Sequence, residues 1–254
     1  MPSEVKGAVL ITGAARRIGR QVALDLAADG YDIALHYNAS HDDAESAAAE
    51  IKQIGRRVVL LQGDLGDVDI GDRLVGAAIA QLGALTCLIN NASLFEDDRF
   101  GHLSTDLWAR HMDVNLRAPV MLAQAFASAL PKTAKGNIIN LIDQRVWKLN
   151  PQFFSYTLSK TGLWTATRTM AQALAPRIRV NAIGPGPALP SARMSAEAFA
   201  TQGSLTLLGR GTSPAEISAA VKFILAQPAL TGQMIALDGG QHLLWQTPDV
   251  EVKE

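Results

Sequence analysis

The sequence predicts an α/β protein in which helices cover both faces of a doubly wound parallel sheet of about seven strands. Short apolar runs recur along all 254 residues, and most of them have no polar interruption. Such runs are typical of strands buried on both faces of a parallel sheet. Longer segments with helical spacing separate the runs, and this alternation is typical of right-handed strand–helix–strand crossovers. The length suits one domain, so we expect residues 1–254 to form a single unit.

The predicted elements follow one another in regular order along the chain. Seven apolar runs are assigned to strands, at residues 8–12, 32–37, 57–61, 87–90, 137–142, 178–183 and 233–237. Six segments with helical spacing are assigned to helices, at residues 18–29, 42–53, 67–81, 104–129, 155–174 and 214–226. Residues 186–212 break this order, because they are rich in Pro, Ala, Ser and Gly. A loop of this length is often a functional lid, and we place a substrate loop at about 187–205.

Composition excludes several classes of function. Lys and Arg number 23 against 24 Asp and Glu, so no basic excess points to nucleic acid or to an anionic membrane surface. The single cysteine, Cys87, excludes an intramolecular disulfide and a CxxC metal site, and the histidines have no metal-ligand spacing. The first apolar run is too short for an export signal, and no run of 18 apolar residues exists. We therefore expect a cytoplasmic protein that acts on a small molecule without a metal.

The first predicted strand is followed by a glycine-rich turn, TGAARRIG at residues 12–19, and then by a helix. Glycine in such a turn lets backbone N–H groups approach a pyrophosphate at the positive end of the helix. An ordinary strand-to-helix turn is the alternative for Gly13 and Gly19 taken alone. Arg16 and Arg17 add positive charge at the same place, which favours an anion site.

This turn resembles the TGxxxGxG fingerprint of the short-chain dehydrogenases/reductases, with Arg17 in place of the middle glycine. TGAxRRxG-like segments are similar to those of the pteridine reductases within that superfamily. The resemblance implies a Rossmann fold, and it places an arginine beside the cofactor phosphates and the pterin. It implies a cofactor site that includes Gly13, Arg16, Arg17, Ile18 and Gly19.

The end of the second predicted strand bears on the choice of cofactor. An NAD site usually carries an Asp or Glu here for the ribose 2′-hydroxyl, but no carboxylate occupies positions 35–41. His36, Tyr37, Asn38 and Ser40 can instead donate hydrogen bonds to a 2′-phosphate. The stretch also resembles the HYxxS of pteridine reductases, which implies NADPH. The alternative is that His36 and Tyr37 only end a strand.

Two more segments extend the resemblance to the cofactor site. Asp64 and Leu65, after the third predicted strand, resemble the segment that carries the family's adenine-contacting Asp. The segment RVNAIGPG resembles the family's RVNxxxPG, whose backbone flanks the nicotinamide, and this implies a role for Pro185 and Gly186. The resemblance covers nearly the whole chain, from residue 9 to about residue 244.

The segment NNASLF follows the fourth predicted strand. The wider family usually carries NNAG here, whereas NNASxF is similar to the pteridine reductase form. That form implies cofactor contacts by Asn91 and Ala92, a substrate contact by Ser93, and stacking of Phe95 on a pterin ring. A flat heteroaromatic ring favours an aromatic face on one side. A core position is the alternative for Phe95, but the residues that follow it are charged.

Tyr156 and Lys160 are candidate catalytic residues. They lie four residues apart, so they share one face of the predicted helix 155–174. We expect the ammonium to pull the pKa of the tyrosine below its usual value of about 10, which makes the phenol a usable acid or base. Asn115 resembles the family's helix asparagine, which supports the lysine through water. Tyr156 and Lys160 also belong to the cofactor site that the resemblance implies.

Asp143 lies thirteen residues before Tyr156, where the general family carries a serine. The pteridine reductases carry an aspartate at this position. A serine hydroxyl can hydrogen-bond a substrate carbonyl, whereas a carboxyl can also move a proton onto a ring nitrogen. The alternative for Asp143 is an ordinary cap of a turn at the end of a strand.

These observations predict an NADPH-dependent reductase of a pterin, such as a dihydropterin or a dihydrofolate-like compound. A carbonyl reductase of the same superfamily, acting on a 3-oxoacyl or another ketone substrate, is one alternative. A catalytically idle NADPH-binding sensor is another. The resemblance also implies a homotetramer built through residues 104–129 and 155–174, whose alanines permit close helix packing: Ala118, Ala123, Ala127, Ala166 and Ala171.

Overall fold

A computed structural model describes residues 5–191, 193–247 and 250, and a seven-stranded parallel sheet organises them. The strand order is β3-β2-β1-β4-β5-β6-β7, which confirms the doubly wound fold class. The strands are β1 (Ala8–Ile11), β2 (Asp32–Tyr37), β3 (Val58–Gln62), β4 (Leu85–Asn90), β5 (Gly136–Leu141), β6 (Ile178–Pro185) and β7 (Met234–Leu237).

Eight α-helices connect these strands within the described residues. They are α1 (Arg17–Ala28), α2 (His41–Gln53), α3 (Ile70–Leu82), α4 (Thr105–Met112), α5 (Ala118–Ala129), α6 (Phe154–Leu174), α7 (Ala196–Ser204) and α8 (Pro214–Ala226). The single helix predicted over 104–129 is wrong in detail, because a π-helical segment, Asp113–Arg117, separates α4 from α5. A π-helical turn changes which side chains face the sheet, and such turns are frequent at functional sites.

Helix α7 corrects the expectation of an irregular segment over 186–212. Its N-terminus is capped by the Ser195 side chain, which accepts a hydrogen bond from the N–H of Ala198. Glu197 in the first turn favours the same helix start, because its charge complements the helix dipole. The helix lies on the surface and has a single buried residue, Gly203, so its sequence carries little apolar periodicity.

Two apolar layers hold the sheet between the helices. One cluster packs α3 and α5 on one face, and the other packs α1, α2 and α8 on the opposite face. Successive β1 residues alternate between the layers: Leu10 belongs to the first, whereas Val9 and Ile11 belong to the second. Burial of each such side chain stabilises the fold by about 1.5–3 kcal/mol. Because all seven strands are parallel, their carboxyl ends lie at one edge of the sheet.

The described residues contain neither a membrane-spanning helix nor a cluster of metal-ligating side chains. None of their helices combines the length and apolar character needed to cross a membrane. No group of three or more His, Cys, Asp or Glu side chains among them is arranged to hold a metal ion.

Candidate active site

The candidate site lies where β1 and β4 are neighbours, the point at which the strand order reverses. In open α/β sheets, ligands bind outside the carboxyl ends of the strands at this point. The hydroxyl oxygen of Thr12, after β1, accepts hydrogen bonds at 3.0 Å from the N–H groups of both Asn91 and Ala92, after β4. The Asn91 side chain in turn donates to the carbonyls of Thr12 and Gly13 at 2.8 and 3.1 Å. Asn91 therefore joins the two strand ends.

The turn from β1 into α1 depends on glycine at two positions. Gly13 has a φ of 64°, in the left-handed region, and a Cβ there would lie 3.0 Å from the Cα of Ala92. A Cβ on Gly19 would lie 2.5 Å from the amide nitrogen of the Asn91 side chain. Arg17 also has a positive φ, 56°, a conformation that glycine adopts without strain and that a residue with a side chain rarely adopts.

A cavity of about 400 Å³ opens over this turn, and a second one of about 390 Å³ adjoins it. No side chain caps the start of α1 and no acidic residue lies in its first turn, so the N–H groups at this helix start have no side-chain partner. The first cavity is lined by Gly13, Ala15, Arg16, Arg17, Ile18, Gly19, Tyr37, Asn38, Ser40, Asn91, Ala92 and Ser93. The second shares four of these and adds, among others, His36, Asp64 and Leu65. Most of the predicted cofactor residues therefore lie around one cleft.

His36 lies at this cleft but corrects one prediction. Its side chain is buried, and Nδ1 accepts a hydrogen bond from the N–H of Gly13 at 3.2 Å. Nε2 therefore carries the proton and donates to the Gly63 carbonyl at 3.1 Å. Burial lowers the pKa of His36 to about 4, so the ring is neutral near pH 7. The predicted donation from His36 to a 2′-phosphate is wrong in this geometry, because the only ring N–H is already used.

Asp143 and Tyr156 contact each other directly. Oδ2 of Asp143 accepts a hydrogen bond from the phenol of Tyr156 at 2.9 Å. Oδ1 accepts the N–H of Arg145 at 2.8 Å and so caps the short 3-10 turn Gln144–Val146. The turn-capping alternative and the contact with the tyrosine therefore both hold, each through a different oxygen.

The electrostatics of this pair differ from the sequence-based expectation. Burial and the neighbouring Asp143 carboxylate raise the pKa of Tyr156 well above its ordinary value. Burial also raises the pKa of Asp143, against the opposing hydrogen bonds from Arg145 and Tyr156. The expectation that Lys160 holds the tyrosine pKa below 10 is therefore wrong here. The phenol is a neutral proton donor beside a carboxyl group that binds protons more readily than an exposed aspartate does.

Lys160 lies on the same face of α6 as Tyr156, as its spacing predicts. Its ammonium lies 5.8 Å from the centroid of the tyrosine ring and donates to the Leu141 carbonyl at 2.8 Å. The side chain is 2% exposed. Burial lowers the pKa of Lys160 to about 8, although Asp143 opposes this shift. Lys160 therefore contacts the ring of the tyrosine and the end of β5.

Asn115 occupies the π-helical segment and bonds to Ser159, the neighbour of Lys160. Its amide donates to the Leu94 carbonyl at 2.9 Å and to the Ser159 hydroxyl at 3.1 Å. Its side-chain oxygen accepts from the N–H of Leu94 at 2.8 Å and from the Ser93 hydroxyl at 3.2 Å. These four bonds use every donor and acceptor of the side chain, and one of them reaches Ser159, the neighbour of Lys160. Support of the lysine through water stays a prediction.

Phe95 lies beside Tyr156, but another aromatic ring of the protein covers one of its faces. Phe153 stacks on it with 4.3 Å between ring centroids, and Tyr156 meets it edge-on at 4.7 Å. Phe153 has a φ of 54°, which is strained for a residue with a side chain and is typical of functional sites. Sequence analysis missed Phe153, although an aromatic pair directly before the YxxxK helix was a usable signal. The Arg193 guanidinium also lies over the Phe95 ring, 5.9 Å from its centroid. A substrate ring can stack on Phe95 only where Phe153 and Arg193 leave room for it.

Two arginines tie the predicted substrate loop to the cleft. The Arg17 guanidinium donates to the carbonyls of Leu189 and Pro190 at 3.3 and 2.9 Å. From within the loop, Arg193 donates to the Phe95 carbonyl at 2.6 Å and pairs with Glu96. Sequence analysis missed Arg193.

Pro185 is the last residue of β6, and Gly186 follows it at the same edge of the sheet. The N–H of Gly186 donates to the Leu237 carbonyl at 2.9 Å, which joins the end of β6 to β7. Neither residue lines the two cavities described above.

Comparisons with known proteins agree with this geometry. A sequence model described as short chain dehydrogenase matches residues 7–202. The chain is 31% identical over 242 residues to a 3-oxoacyl-[acyl-carrier-protein] reductase, FabG, of Staphylococcus aureus, covering 92% of this chain and 97% of that protein.

Solved structures give a second comparison. FolM Alternative dihydrofolate reductase 1 from Brucella canis, complexed with NADP, is 51% identical, with a TM-score of 0.94 and coverage of 97% and 98% of the two chains. A blue fluorescent protein from a metagenomic library, in complex with NADPH, is 30% identical, with a TM-score of 0.86 and coverage of 93% and 98%. From its sequence, its fold and the matched family model, the chain belongs to the short-chain dehydrogenase/reductase family.

Proposed function

We propose that the chain is an NADPH-dependent reductase that reduces a ring C=N bond of a pterin, either a dihydropterin or a dihydrofolate-like compound. The observation that carries the proposal is the 2.9 Å hydrogen bond from Tyr156 to Asp143. Reduction of a C=N bond requires a proton on the ring nitrogen, and a carboxyl group can supply one. The 51% identity to an alternative dihydrofolate reductase supports the same substrate class.

The chain's own residues provide the proton side of the reaction. The cofactor, when bound, supplies a hydride to the ring carbon. Tyr156 is neutral and holds its proton toward Asp143, so the two groups form a short relay to the substrate nitrogen. Lys160 donates to the Leu141 carbonyl at the end of β5, and its ammonium lies over the Tyr156 ring and holds that ring in place. Ser93 and Arg17 orient the polar edge of the pterin, and Phe95 contacts its ring beside Phe153 and Arg193.

The cofactor assignment rests on the two cavities and the uncapped start of α1. The turn at 12–19 offers N–H groups and two arginines to the phosphates, and no carboxylate at the end of β2 repels a 2′-phosphate. The residues proposed to hold NADPH are Gly13, Arg16, Arg17, Ile18, Gly19, Tyr37, Asn38, Ser40, Asp64, Leu65, Asn91, Ala92, Tyr156, Lys160, Pro185 and Gly186. His36 does not contact the cofactor in this proposal but stabilises the turn at 12–19 through its hydrogen bonds with Gly13 and Gly63.

A ketone reductase is the second candidate, favoured by the 31% identity to a 3-oxoacyl reductase. Asp143 argues against it, because a carbonyl substrate needs only a hydrogen-bond donor at that position. A non-catalytic NADPH sensor is the third, and the connected arrangement of Asp143, Tyr156 and Lys160 argues against it.

One assay separates the three candidates. The purified protein is incubated with NADPH and, in turn, with dihydropterins, dihydrofolate, quinonoid pterins and simple ketones. Oxidation of NADPH is followed by the decrease in absorbance of its reduced nicotinamide. We expect turnover with a pterin and little with ketones. Turnover confined to ketones would support the second candidate, and tight NADPH binding without any turnover would support the third.

Replacing Ser40 with aspartate is expected to weaken NADPH binding at least tenfold while leaving NADH binding nearly unchanged. Ser40 lines the first cavity, and like charges about 5 Å apart near a protein surface repel by roughly 3 kcal/mol. Fluorescence titration with both nucleotides measures the change. Ser46→Asp, which adds the same charge farther along α2, is the control. Equal losses for the two nucleotides would contradict the proposed position of the 2′-phosphate.

The proposed homotetramer is expected to give a mass of about four times 27.0 kDa by light scattering at micromolar concentration. Ala118, Ala123 and Ala171 pack inside the protein core, so these alanines do not support helix packing between subunits. The prediction now rests on family resemblance. A monomeric mass would end it.

A further inference from the structure

Asp98 is a buried acidic residue that the proposed proton relay does not use. It follows Phe95 in the segment after β4, and only 7% of it is exposed. Its main-chain carbonyl accepts the N–H of Phe154 at 3.1 Å, and its Oδ1 accepts the N–H of Ser155 at 3.0 Å. These are the first two residues of α6, the helix that carries Tyr156. Asp98 therefore caps α6 from a segment that is 57 residues away in sequence.

The residue that precedes α6 does not cap the helix itself. Helices α4, α7 and α8 each begin after a serine whose hydroxyl accepts an N–H of the first turn. Before α6 this position is occupied by Phe153, which makes no such bond and has a strained φ of 54°. A strained residue persists only where the surrounding structure holds it, and Asp98 binds the two residues directly after it. Without these bonds, we expect Phe153 to relax and the first turn of α6 to shift.

The segment that carries Asp98 is itself fixed at two earlier points. The Asn115 side chain bonds to both main-chain groups of Leu94. The N–H of Glu96 donates to Nε2 of His111 at 3.3 Å, and the His111 side chain is buried. Asp98 is therefore a fixed point from which α6 begins.

The position of the Tyr156 hydroxyl depends on where α6 begins. Tyr156 is the third residue of the helix, whereas its partner Asp143 lies in the turn after β5. The N–H of Arg145 holds Asp143 in that turn, so a shift of α6 moves the phenol away from the carboxyl group. A misplacement of about 1 Å can lower a catalysed rate roughly 10²-fold.

We propose that Asp98 is a positioning residue, whose carboxyl oxygen fixes the start of α6 and thereby holds the Tyr156 hydroxyl against Asp143. The inference rests on the proposed function, because it assumes that Tyr156 transfers a proton during turnover. Asp98 lines neither of the two cavities over the glycine turn. Its loss should therefore lower kcat and leave nucleotide affinity nearly unchanged.

The test compares Asp98→Ala, Asp98→Asn and Ser213→Ala in the full-length protein. Asparagine keeps an oxygen that can accept the Ser155 N–H, whereas alanine removes it. Ser213 caps α8 through a bond from the N–H of Glu216 at 3.2 Å, so Ser213→Ala removes a cap from a helix that does not carry Tyr156. The thermal midpoint, NADPH affinity by fluorescence titration, and kcat and KM for a dihydropterin are measured for each protein.

We expect both alanine variants to lower the thermal midpoint by about 2–4 °C, the usual effect of a lost cap in a chain of this size. Asp98→Ala should also lower kcat roughly ten- to a hundredfold, with NADPH affinity nearly unchanged. Asp98→Asn should restore most of the lost kcat, and Ser213→Ala should keep the kcat of the parent protein.

Three results would overturn the role of Asp98: an unchanged kcat in Asp98→Ala, equal losses of kcat in the two alanine variants, or no rescue by Asp98→Asn. If Asp98→Ala does not fold, Asp98→Glu takes its place, because it keeps the carboxyl group but displaces its oxygens by one methylene. A lowered kcat is expected there too, and an unchanged kcat would overturn the role.

Failure of the proposed function gives a different result. If the parent protein reduces a ketone instead of a pterin, the pterin assignment fails, but the same comparison is made with the ketone, because Tyr156 donates the proton there as well. If the parent protein reduces none of these substrates, both the proposed function and the role of Asp98 are overturned.

Discussion

Asp143→Ser is expected to lose dihydropterin reduction by a factor of about 10²–10⁴, the usual cost of removing a proton-transfer group. The serine restores the arrangement of the wider family, but its hydroxyl is too weak an acid to transfer a proton to a ring nitrogen at neutral pH. Because Asp143 contacts Tyr156 and the turn after β5 rather than the cleft lining, NADPH affinity should change little. Steady-state turnover with a dihydropterin and nucleotide titration measure the two effects.

Asp143 also caps the turn Gln144–Val146, so a control must separate this structural role from proton transfer. Asp143→Asn keeps an oxygen that can accept the N–H of Arg145, but it does not titrate. We expect it to fold with an unchanged thermal midpoint and still to lose pterin turnover. If Asp143→Ser keeps dihydropterin turnover, or raises activity on ketones that the parent already reduces well, Asp143 is structural and the pterin assignment fails.

Tyr156→Phe is expected to abolish ketone reduction and to reduce pterin reduction strongly, with a residual rate. In the proposed reaction the phenol passes the proton to a carbonyl oxygen, whereas a ring nitrogen can still receive a proton from Asp143 through water. Phenylalanine preserves the edge contact with Phe95 and the position of the ring over Lys160, so the loss reports on the hydroxyl alone. The measurement is kcat for a dihydropterin and for a ketone.

Tyr31→Phe is the matched control for this substitution, because Tyr31 lies beside Lys6 at the opposite edge of the sheet. It should leave both activities unchanged. Equal residual rates of Tyr156→Phe on the two substrates would show that Asp143 does not relay a proton independently.

The local pattern of the chain was sufficient to predict the fold. Strand β1 and helix α1 were predicted to within a residue at each end, because a buried strand and an amphipathic helix each carry their own periodicity. The same holds for Tyr156 and Lys160, whose spacing alone places them on one helix face. The glycine turn at 12–19 is equally local, since it depends on backbone angles that Gly13 adopts without strain.

The roles of individual side chains depended on partners that are distant in sequence. His36 cannot donate a hydrogen bond to a phosphate, because both of its ring nitrogens already bond to Gly13 and Gly63. The Asn115 side chain likewise bonds to residues from two other parts of the fold. The cover that Phe153 provides over Phe95 comes from a contact across more than fifty residues.

The direction of the Tyr156 pKa shift most clearly separates what the sequence predicts from what the tertiary structure determines. The sequence by itself determined that a lysine shares the face of this tyrosine, and from that pair alone a lowered pKa follows. Only the tertiary structure decided that the phenol is buried and bonded to Asp143, and these effects raise its pKa instead. Desolvation and hydrogen bonding depend on every group packed around a side chain. Whether two residues share a helix face depends only on their separation along the chain.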